Sequence, residues 1–382
     1  MLIAAFFLFW FCFGALVHSY CLYPLFLACC APLFGKQWRV DSSFTPSVVI
    51  VVPAYNEANV IQKKIENILA LDYPADKISI WIGSDCSTDT TNDIVNACTD
   101  TDTRVHLWIA PDRGGKTQII NRLLPTLTAE IVLLTDANTM HQPGSLRRLV
   151  SNFADPAIGA VAGHIEHSNS RESAELWYRN FEVIQKQNES RLHSSISAFG
   201  GFYAIRLALF VPLPVNAYSN DDVLIPMNII RQGFRVAFER SAISTEDFRP
   251  DIAEEFRRRI RIGAGNFQSF FWLLDFLNPL RGWPWFCYVS HKAIRWFSPL
   301  LMVGAGIATA MLAIQPGHGR VYALLLLAEV GTLAVGLSYK IIPLKALRPL
   351  YYFIMMNSAL IGGLGRFLRG IKHAAWQPTQ RK

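Results

Sequence analysis

Long apolar stretches lie toward both ends of the chain, with a more polar segment between them. The first stretch runs from Met1 to Phe34, and no Asp, Glu, Lys or Arg occurs before Lys36. A helix needs about 20 mostly apolar residues to cross a bilayer, so this run predicts a transmembrane anchor. It is longer than the apolar core of a cleaved signal peptide and has no basic residues before it, which favours an anchor that is retained.

The C-terminal part contains three further apolar segments, Trp296–Ile314, Val321–Tyr339 and Pro349–Gly365. Basic flanks tend to remain cytoplasmic, so the first two segments predict an in–out–in hairpin, and Lys36 and Arg39 predict a cytoplasmic middle domain. The third segment is short and contains Asn357 and several glycines, so a full span and a re-entrant helix are both open. Phe270–Trp285, which is rich in aromatic residues and broken by prolines, resembles an interfacial helix.

The middle of the chain alternates short β-branched runs with stretches of helical spacing. We predict strands at Val48–Val52, Ile78–Ile82, Val105–Ala110 and Ile131–Thr135, and helices at 60–69, near 91–98 and at 117–124. This alternation is typical of an α/β domain with a mainly parallel sheet covered by helices. The resulting domains are an anchor at 1–41, an α/β domain at 42–267, an amphipathic interfacial segment at 268–295, and membrane helices with a basic tail at 296–382.

Composition narrows the class of protein. The 382 residues are 51% hydrophobic and only 17% charged, and 36 Lys and Arg against 29 Asp and Glu give a net charge of +7. Disordered, collagen-like and small disulfide-rich proteins are therefore excluded. The seven cysteines form no CxxC pair, which argues against a zinc ribbon.

Polar residues follow each predicted strand. They are Asn56 and Glu57 after the first, Asp85 after the second, Gly114–Lys116 after the third, and Asp136 and Asn138 after the fourth. Parallel sheets bind ligands at the carboxyl ends of their strands, so these groups predict one common crevice. Asp136 suits a divalent cation and Lys116 suits phosphate, which together indicate a nucleotide diphosphate. Singly, each has a structural alternative: Asp85 as a helix cap, the glycines as a turn and Asp136 as an Asx-turn.

The order of the motifs is similar to that of the family 2 glycosyltransferases with a GT-A fold. The matching segments are VVPAYNE (Val51–Glu57), SDCSTDTT (Ser84–Thr91), RGGKTQIIN (Arg113–Asn121), LTDANT (Leu134–Thr139), GGFYAIR (Gly200–Arg206) and NDDVLIPMNIIRQGFRV (Asn220–Val236). The chain most resembles the membrane-bound branch that includes cellulose, hyaluronan and poly-N-acetylglucosamine synthases.

The resemblance implies a role for each matching residue. Pro53, Tyr55, Glu57 and Asp85 would surround the nucleotide, Lys116 the diphosphate, Gly201 the acceptor side, and Asp136 and Asn138 would bind Mg²⁺ or Mn²⁺. Asp222 would be the general base, with Asp221 beside it. Asn138 stands where many relatives have the second acid of the DxD motif, so it brings an oxygen ligand without a charge. A literal TED sequence at Thr245–Asp247 lacks the helix and glycine turn that follow the base, so we interpret it as fortuitous.

EFRRRIRIGAGNFQ at Glu255–Gln268 takes the place of the QxxRW motif. Arg261 is retained, Arg258 replaces Gln and Ile262 replaces Trp. The resemblance makes Arg258 and Arg261 substrate-binding candidates. The missing Trp weakens the case for processive synthesis more than the case for transfer itself.

The expected function is inverting transfer from a nucleotide sugar, with a UDP-sugar as the expected donor, to an extracellular or capsular polysaccharide through a β-glycosidic bond. Transfer to a polyprenyl-phosphate or other lipid-linked acceptor is the alternative, and a non-catalytic membrane sensor or transporter is a third. The resemblance implies a bacterial plasma membrane with the catalytic domain in the cytoplasm. Expected partners are membrane lipids and an export partner or a second copy of the chain, but not nucleic acid.

Overall fold

The computed structural model describes residues 2–167, 174–246, 252–315 and 319–371. Within these residues the chain divides into two compact units. The α/β unit contains residues 30–167, 182–246 and 370–371, and the helical unit contains residues 2–29, 174–181 and 252–369 apart from 316–318. Residues 252–267, which the sequence analysis assigned to the α/β domain, therefore group with the helices.

An eight-stranded sheet forms the α/β unit. Its strands are β1 (Val48–Ala54), β2 (Ile78–Ser84), β3 (Val105–Ile109), β4 (Ile131–Thr135), β5 (Thr139–His141), β6 (Ile158–His167), β7 (Phe202–Arg206) and β8 (Arg235–Glu246). They are ordered β3-β2-β1-β4-β7-β6-β8-β5. The first four strands are parallel to one another, as are β6 and β8, whereas β7 runs antiparallel to β4 and β6, and β5 antiparallel to β8. The predicted α/β fold with a mainly parallel sheet is confirmed.

The α-helices in the described residues are α1 (Leu2–Val17), α2 (Tyr23–Phe34), α3 (Ile61–Leu69), α4 (Thr91–Thr101), α5 (Lys116–Leu123), α6 (Ser145–Val150), α7 (Ala174–Leu192), α8 (Asp221–Arg231), α9 (Ile252–Trp272), α10 (Trp283–Cys287), α11 (Ile294–Ala313), α12 (Gly319–Ser338) and α13 (Arg348–Leu368). The three helices predicted in the middle of the chain correspond to α3, α4 and α5.

Burial explains why the sheet forms where it does. All seven residues of β1 are buried, as expected for a central strand covered on both faces. The helix α3 presents Ile61, Ile65 and Ile68 at helical spacing, and these side chains pack into the core around β1. Because β1 pairs in parallel with β2 and β4, the carboxyl ends of these three strands lie at the same edge of the sheet. The polar motifs follow the strands at this edge.

Three stretches among the described residues are long and apolar enough to cross a membrane: Leu2–Phe34, Trp283–Ala313 and Gly319–Ser338. The first and the last match the predicted segments. The second contains all of Trp296–Ile314 except its last residue, but it begins at Trp283, because α10 continues through a π-helical turn at Tyr288–Ala293 into α11. The end of the predicted interfacial segment is thus part of a long helix.

The glycines of the last apolar segment have a packing role. A Cβ atom on Gly363 of α13 would lie 2.7 Å from the carbonyl carbon of Gly263 on α9. Only residues without a side chain allow two helices to approach this closely. Asn357 of α13 also accepts a hydrogen bond from the hydroxyl of Ser298 on α11, at 2.9 Å. The segment Pro349–Gly365 is therefore an integral part of the helical unit.

Candidate active site

The register between β4 and β7 brings two distant motifs together. Thr135 at the end of β4 pairs with Phe202 at the start of β7. Because these strands are antiparallel, Asp136, which follows β4, lies beside Gly201, which precedes β7. A Cβ atom on Gly201 would lie 3.4 Å from Asp136 Oδ2 and only 2.5 Å from the hydroxyl oxygen of Thr139. The absence of a side chain at Gly201 therefore allows the two segments to approach this closely.

Lys116 contacts both the segment after β4 and the segment before β7. Its ammonium donates to Asp136 Oδ1 at 2.9 Å and to the carbonyl oxygen of Gly200 at 2.8 Å, and lies 3.3 Å from Asp221 Oδ2. Burial alone would lower the pKa of Lys116, but the carboxylates of Asp136, Asp221 and Asp222 raise it above its ordinary value. The lysine is therefore a permanent cation at physiological pH.

The two adjacent acids open α8. Asn220, at φ 70°, adopts a left-handed conformation directly before the helix. Asp221 is nearly buried and accepts a hydrogen bond from the Tyr203 hydroxyl at 2.8 Å. The carboxylate of Asp222 lies beside Gly200, since a Cβ atom there would be 3.6 Å from Asp222 Oδ2. Asp136, Lys116, Gly201, Asp221 and Asp222 thus form one cluster.

Asp85 has a structural role that the resemblance did not imply. Its carboxylate is buried, and its two oxygens accept hydrogen bonds from the backbone N–H groups of Gly114 and Gly115, at 2.8 and 2.9 Å. Gly115 has a φ of 81°, which favours glycine. Asp85 therefore holds the loop that delivers Lys116 at the start of α5.

The remaining nucleotide-site candidates lie on the same edge of the sheet. The guanidinium of Arg113 stacks 3.7 Å from the ring centroid of Tyr55 and lies 4.0 Å from Asp85. Pro53 is buried within β1. The backbone N–H of Glu57 donates to the Thr91 hydroxyl at 2.9 Å, which joins the first motif to the start of α4.

Arg258 and Arg261 belong to the helical unit, on α9. Arg258 forms a bidentate ion pair with Glu255, at 2.8 and 3.2 Å, in which Arg259 also takes part at 2.5 Å. Burial raises the pKa of the Glu255 carboxyl and its two arginine partners lower it, with a net shift below its ordinary value. The expected contact of Arg258 and Arg261 with substrate stays a prediction.

Comparison with known proteins identifies the fold and family. Residues 46–265, more than half of the chain, match the family described as "Glycosyltransferase like family 2". The chain belongs to this family. Its fold is similar to that of the mannosyltransferase PcManGT from Pyrobaculum calidifontis, solved in complex with GDP-Man and Mn²⁺, with a TM-score of 0.73 and 25% identity over 96% of this chain and 99% of that one.

Two named relatives differ in their products. A β-monoglucosyldiacylglycerol synthase from Synechocystis sp. is 33% identical over 136 residues, which are 35% of this chain and 28% of that protein. A poly-β-1,6-N-acetyl-D-glucosamine synthase from Staphylococcus aureus is 21% identical over 256 residues, or 65% of this chain and 60% of that protein. The chain thus spans less than two thirds of the length of either relative.

The residues around Asp136 fit a divalent cation that binds together with a diphosphate. One ammonium, that of Lys116, faces the three carboxylates of Asp136, Asp221 and Asp222. Asp136 is 41% exposed, and its oxygens and the Asn138 amide oxygen are hard donors of the kind that Mg²⁺ and Mn²⁺ bind. In the described part of the chain no three His, Cys, Asp or Glu residues converge into a complete cage. Phosphate oxygens commonly complete such a coordination sphere.

Sequence reasoning missed Glu246. The pairing of β5 with β8 places it opposite Thr139, and its Oε1 accepts a hydrogen bond from Asn138 Nδ2 at 2.7 Å. The literal TED sequence at Thr245–Asp247 could have identified Glu246 as a candidate, but we interpreted it as fortuitous. Asp247, its last residue, lies outside the described residues.

Lys64 was also missed. It is fully buried on α3, and its ammonium donates to the Thr135 hydroxyl at 2.9 Å and to the carbonyl oxygen of Thr139, and lies 3.0 Å from His141 Nε2. Burial lowers the pKa of Lys64 to about 7, against the opposing effect of Asp136. The signal was its position on the apolar face of α3, between Ile61 and Ile68. Lys64 connects the two ends of the turn that carries Asp136 and Asn138.

Proposed function

We propose that this family 2 glycosyltransferase transfers a sugar from a nucleotide sugar to an acceptor hydroxyl with inversion at C1. The observation that carries the proposal is the cluster formed by Lys116, Asp136, Asp221 and Asp222. It combines a fixed cation, a partly exposed carboxylate suited to a metal, and a second carboxylate suited to accept a proton. Inversion of an α-linked donor forms a β-glycosidic bond.

In this reaction Asp222 is the general base. It removes the proton from the acceptor hydroxyl while that oxygen attacks C1 and the bond from C1 to the diphosphate breaks. Lys116 stabilises the negative charge on the leaving diphosphate. Tyr203 orients Asp221 through its 2.8 Å hydrogen bond, and Asp221 in turn lies against Lys116. A Mg²⁺ or Mn²⁺ ion bound by Asp136 and Asn138 would supply further positive charge to the diphosphate.

The donor is a nucleoside diphosphate sugar. A UDP-sugar is the donor that the motif resemblance implies, whereas PcManGT was solved with GDP-Man. Asp85, the candidate contact to the base, accepts backbone hydrogen bonds from Gly114 and Gly115, and these two bonds do not distinguish uracil from guanine. A donor screen therefore has to contain both nucleotides.

The acceptor that we propose is a growing extracellular or capsular polysaccharide, with the active site on the cytoplasmic side of a bacterial plasma membrane. The similarity to the poly-N-acetylglucosamine synthase supports this acceptor. A lipid acceptor is the second candidate. It is favoured by the similarity to the β-monoglucosyldiacylglycerol synthase and by Ile262, which stands where processive synthases have Trp.

The test is a nucleotide-release assay on membranes that contain the full chain, with UDP- and GDP-sugars and with or without Mn²⁺ or Mg²⁺. We expect metal-dependent release with at least one donor, and none with the Asp222→Asn variant. Mass analysis of the product then distinguishes one sugar on a lipid from many sugars on a chain. Failure of every donor would contradict the proposal and favour a non-catalytic sensor.

A further inference from the structure

Asn138 leaves the candidate cation site with one carboxylate fewer than a DxD motif provides. The structure brings a carboxylate from another strand to this position. Glu246 ends β8 and pairs with Thr139, the first residue of β5. Its Oε1 lies 2.7 Å from Asn138 Nδ2, which donates the hydrogen bond.

This hydrogen bond sets the orientation of the Asn138 amide. A carboxylate accepts hydrogen bonds and does not donate them, so it binds the NH₂ group of the amide and not its oxygen. The NH₂ group is thereby occupied by Glu246, and Oδ1 is the atom that Asn138 can offer to a cation. Without Glu246 the amide could rotate and present its NH₂ group, which cannot bind a metal.

The negative charge of Glu246 also favours a role at the cation site. Asn138 contributes an oxygen without a negative charge, and Glu246 adds a carboxylate within one hydrogen bond of it. Partners that hydrogen-bond to metal ligands orient them and raise their donor strength, and their loss typically costs about 10–100-fold in metal affinity. The Asn138–Glu246 pair therefore provides both the oxygen and the charge that a second Asp would provide.

We propose that Glu246 is a positioning residue of the cation site, which orients Asn138 and supplies the negative charge that Asn138 lacks. This inference rests on the proposed function, because it requires that Asp136 and Asn138 bind a divalent cation with the nucleotide. The role proposed for Glu246, which lies within the literal TED sequence, differs from that of the general base, Asp222.

The same strand offers a matched control. Glu239 of β8 accepts a hydrogen bond from Asn152 Nδ2 at 3.2 Å, so it forms an Asn–Glu pair of the same kind. Asn152 lies after α6, in a different part of the chain from the Asp136–Asn138 turn. Removal of the Glu239 carboxylate tests the effect of losing such a pair from β8 without altering the cation site.

The experiment measures Mn²⁺ binding to the full chain in detergent by calorimetry, in the presence of UDP or GDP, together with thermal unfolding without metal. We expect Glu246→Leu to weaken Mn²⁺ binding at least about tenfold. Glu246→Gln, which keeps an acceptor oxygen but loses the charge, is expected to fall between Glu246→Leu and the wild type. Glu239→Leu is expected to bind Mn²⁺ like the wild type.

A charge swap sharpens the test. In the double variant Asn138→Asp/Glu246→Gln the amide donates to the carboxylate in the opposite direction, and the negative charge moves onto residue 138. We expect this variant to bind Mn²⁺ within about threefold of the wild type, because a conservative exchange retains both the pair and the charge. Binding as weak as that of Glu246→Leu would contradict the proposal.

The outcomes separate the two proposals. If the wild type binds Mn²⁺ with a nucleotide and Glu246→Leu binds it equally well, the role of Glu246 is overturned and the proposed function stands. If Glu246→Leu and Glu239→Leu lose affinity in proportion to their loss of thermal stability, Glu246 has a structural role only. If the wild type shows no Mn²⁺-dependent nucleotide binding, both proposals fail.

Discussion

Two lysines contact the segment around Asp136 from different helices, and their surroundings differ. Lys116, at the start of α5, lies among the carboxylates of Asp136, Asp221 and Asp222, which raise its pKa. Lys64, in α3, is surrounded mainly by neutral acceptors, and burial lowers its pKa to about 7. The region around Lys116 concentrates charge where a diphosphate would bind. The region around Lys64 supports, from within the core, the turn that carries Asp136 and Asn138.

The contrast shows that a lysine can have a catalytic role at one position, as proposed for Lys116, and a structural role at another, as for Lys64. A cation that carboxylates compensate keeps its charge and can act on a substrate. A cation in the core is costly unless hydrogen bonds satisfy it, so its contribution is the geometry of the groups that it joins. We therefore expect substitutions near Lys116 to affect mainly turnover and substitutions near Lys64 to affect mainly stability.

The largest expected effect is that of Asp222→Asn in the carboxylate region. Loss of the general base should lower turnover about 10²–10⁴-fold. The affinity for the nucleotide sugar should change little, since Asn keeps the shape of the side chain. Turnover from nucleotide release and donor affinity from calorimetry check this prediction. A variant with wild-type turnover would remove Asp222 from the mechanism.

Lys116→Met tests the charge itself. Without the ammonium, the charge on the leaving diphosphate loses one source of stabilisation, and turnover should fall about 10²–10³-fold. Lys116→Arg is the control, because it keeps the positive charge in a different geometry and should retain more activity. The two variants are compared by nucleotide release at saturating donor. Equal activities of Lys116→Met and Lys116→Arg would show that the charge is unimportant.

Lys64→Met should affect stability first. It leaves the Thr135 hydroxyl and the carbonyl oxygen of Thr139 without their buried donor, which costs about 1–3 kcal/mol in the free energy of unfolding. Thermal or denaturant unfolding of the α/β unit within the full chain measures this loss. If Lys64→Met instead lowered turnover as much as Lys116→Met without loss of stability, the distinction between the two regions would be wrong.

Lys64 should also make the stability of the α/β unit depend on pH. Its pKa is about 7 in the folded protein and 10.5 when exposed, so between these values the unfolded chain binds more protons than the folded one. The free energy of unfolding should therefore rise with pH from about 7 to 10.5. Asp136 and His141 are the other titratable groups near the amine. Lys64→Met should flatten this slope relative to the wild type in unfolding measurements across that range.

Local patterns in the sequence determined much of the fold. The short runs Ile78–Ile82 and Ile131–Thr135 predicted β2 and β4, because β-branched residues followed by polar turn residues are typical of strands. Since parallel strands end at one edge, these two strands and the predicted strand Val105–Ala110 placed Asp85, Asp136 and Lys116 near one another. The long apolar stretches likewise predicted the three membrane-length helices, because length and hydropathy are local properties.

Pairings between distant segments could not be predicted in this way. The antiparallel insertion of β7 beside β4 decides that Gly201 meets Asp136, and the pairing of β5 with β8 decides that Glu246 meets Asn138. The two oxygens of Asp85 bind the Gly114–Gly115 loop, a contact that its expected role at the nucleotide did not reveal.

The residue types alone establish which side chains can bind phosphate, cation and proton, since that chemistry belongs to each residue. Which of these side chains meet, and whether a lysine such as Lys64 or Lys116 lies in the core or among carboxylates, depends on the folded arrangement of the chain. Strand register and long-range packing depend on contacts between residues far apart in the chain, and no local pattern encodes those contacts.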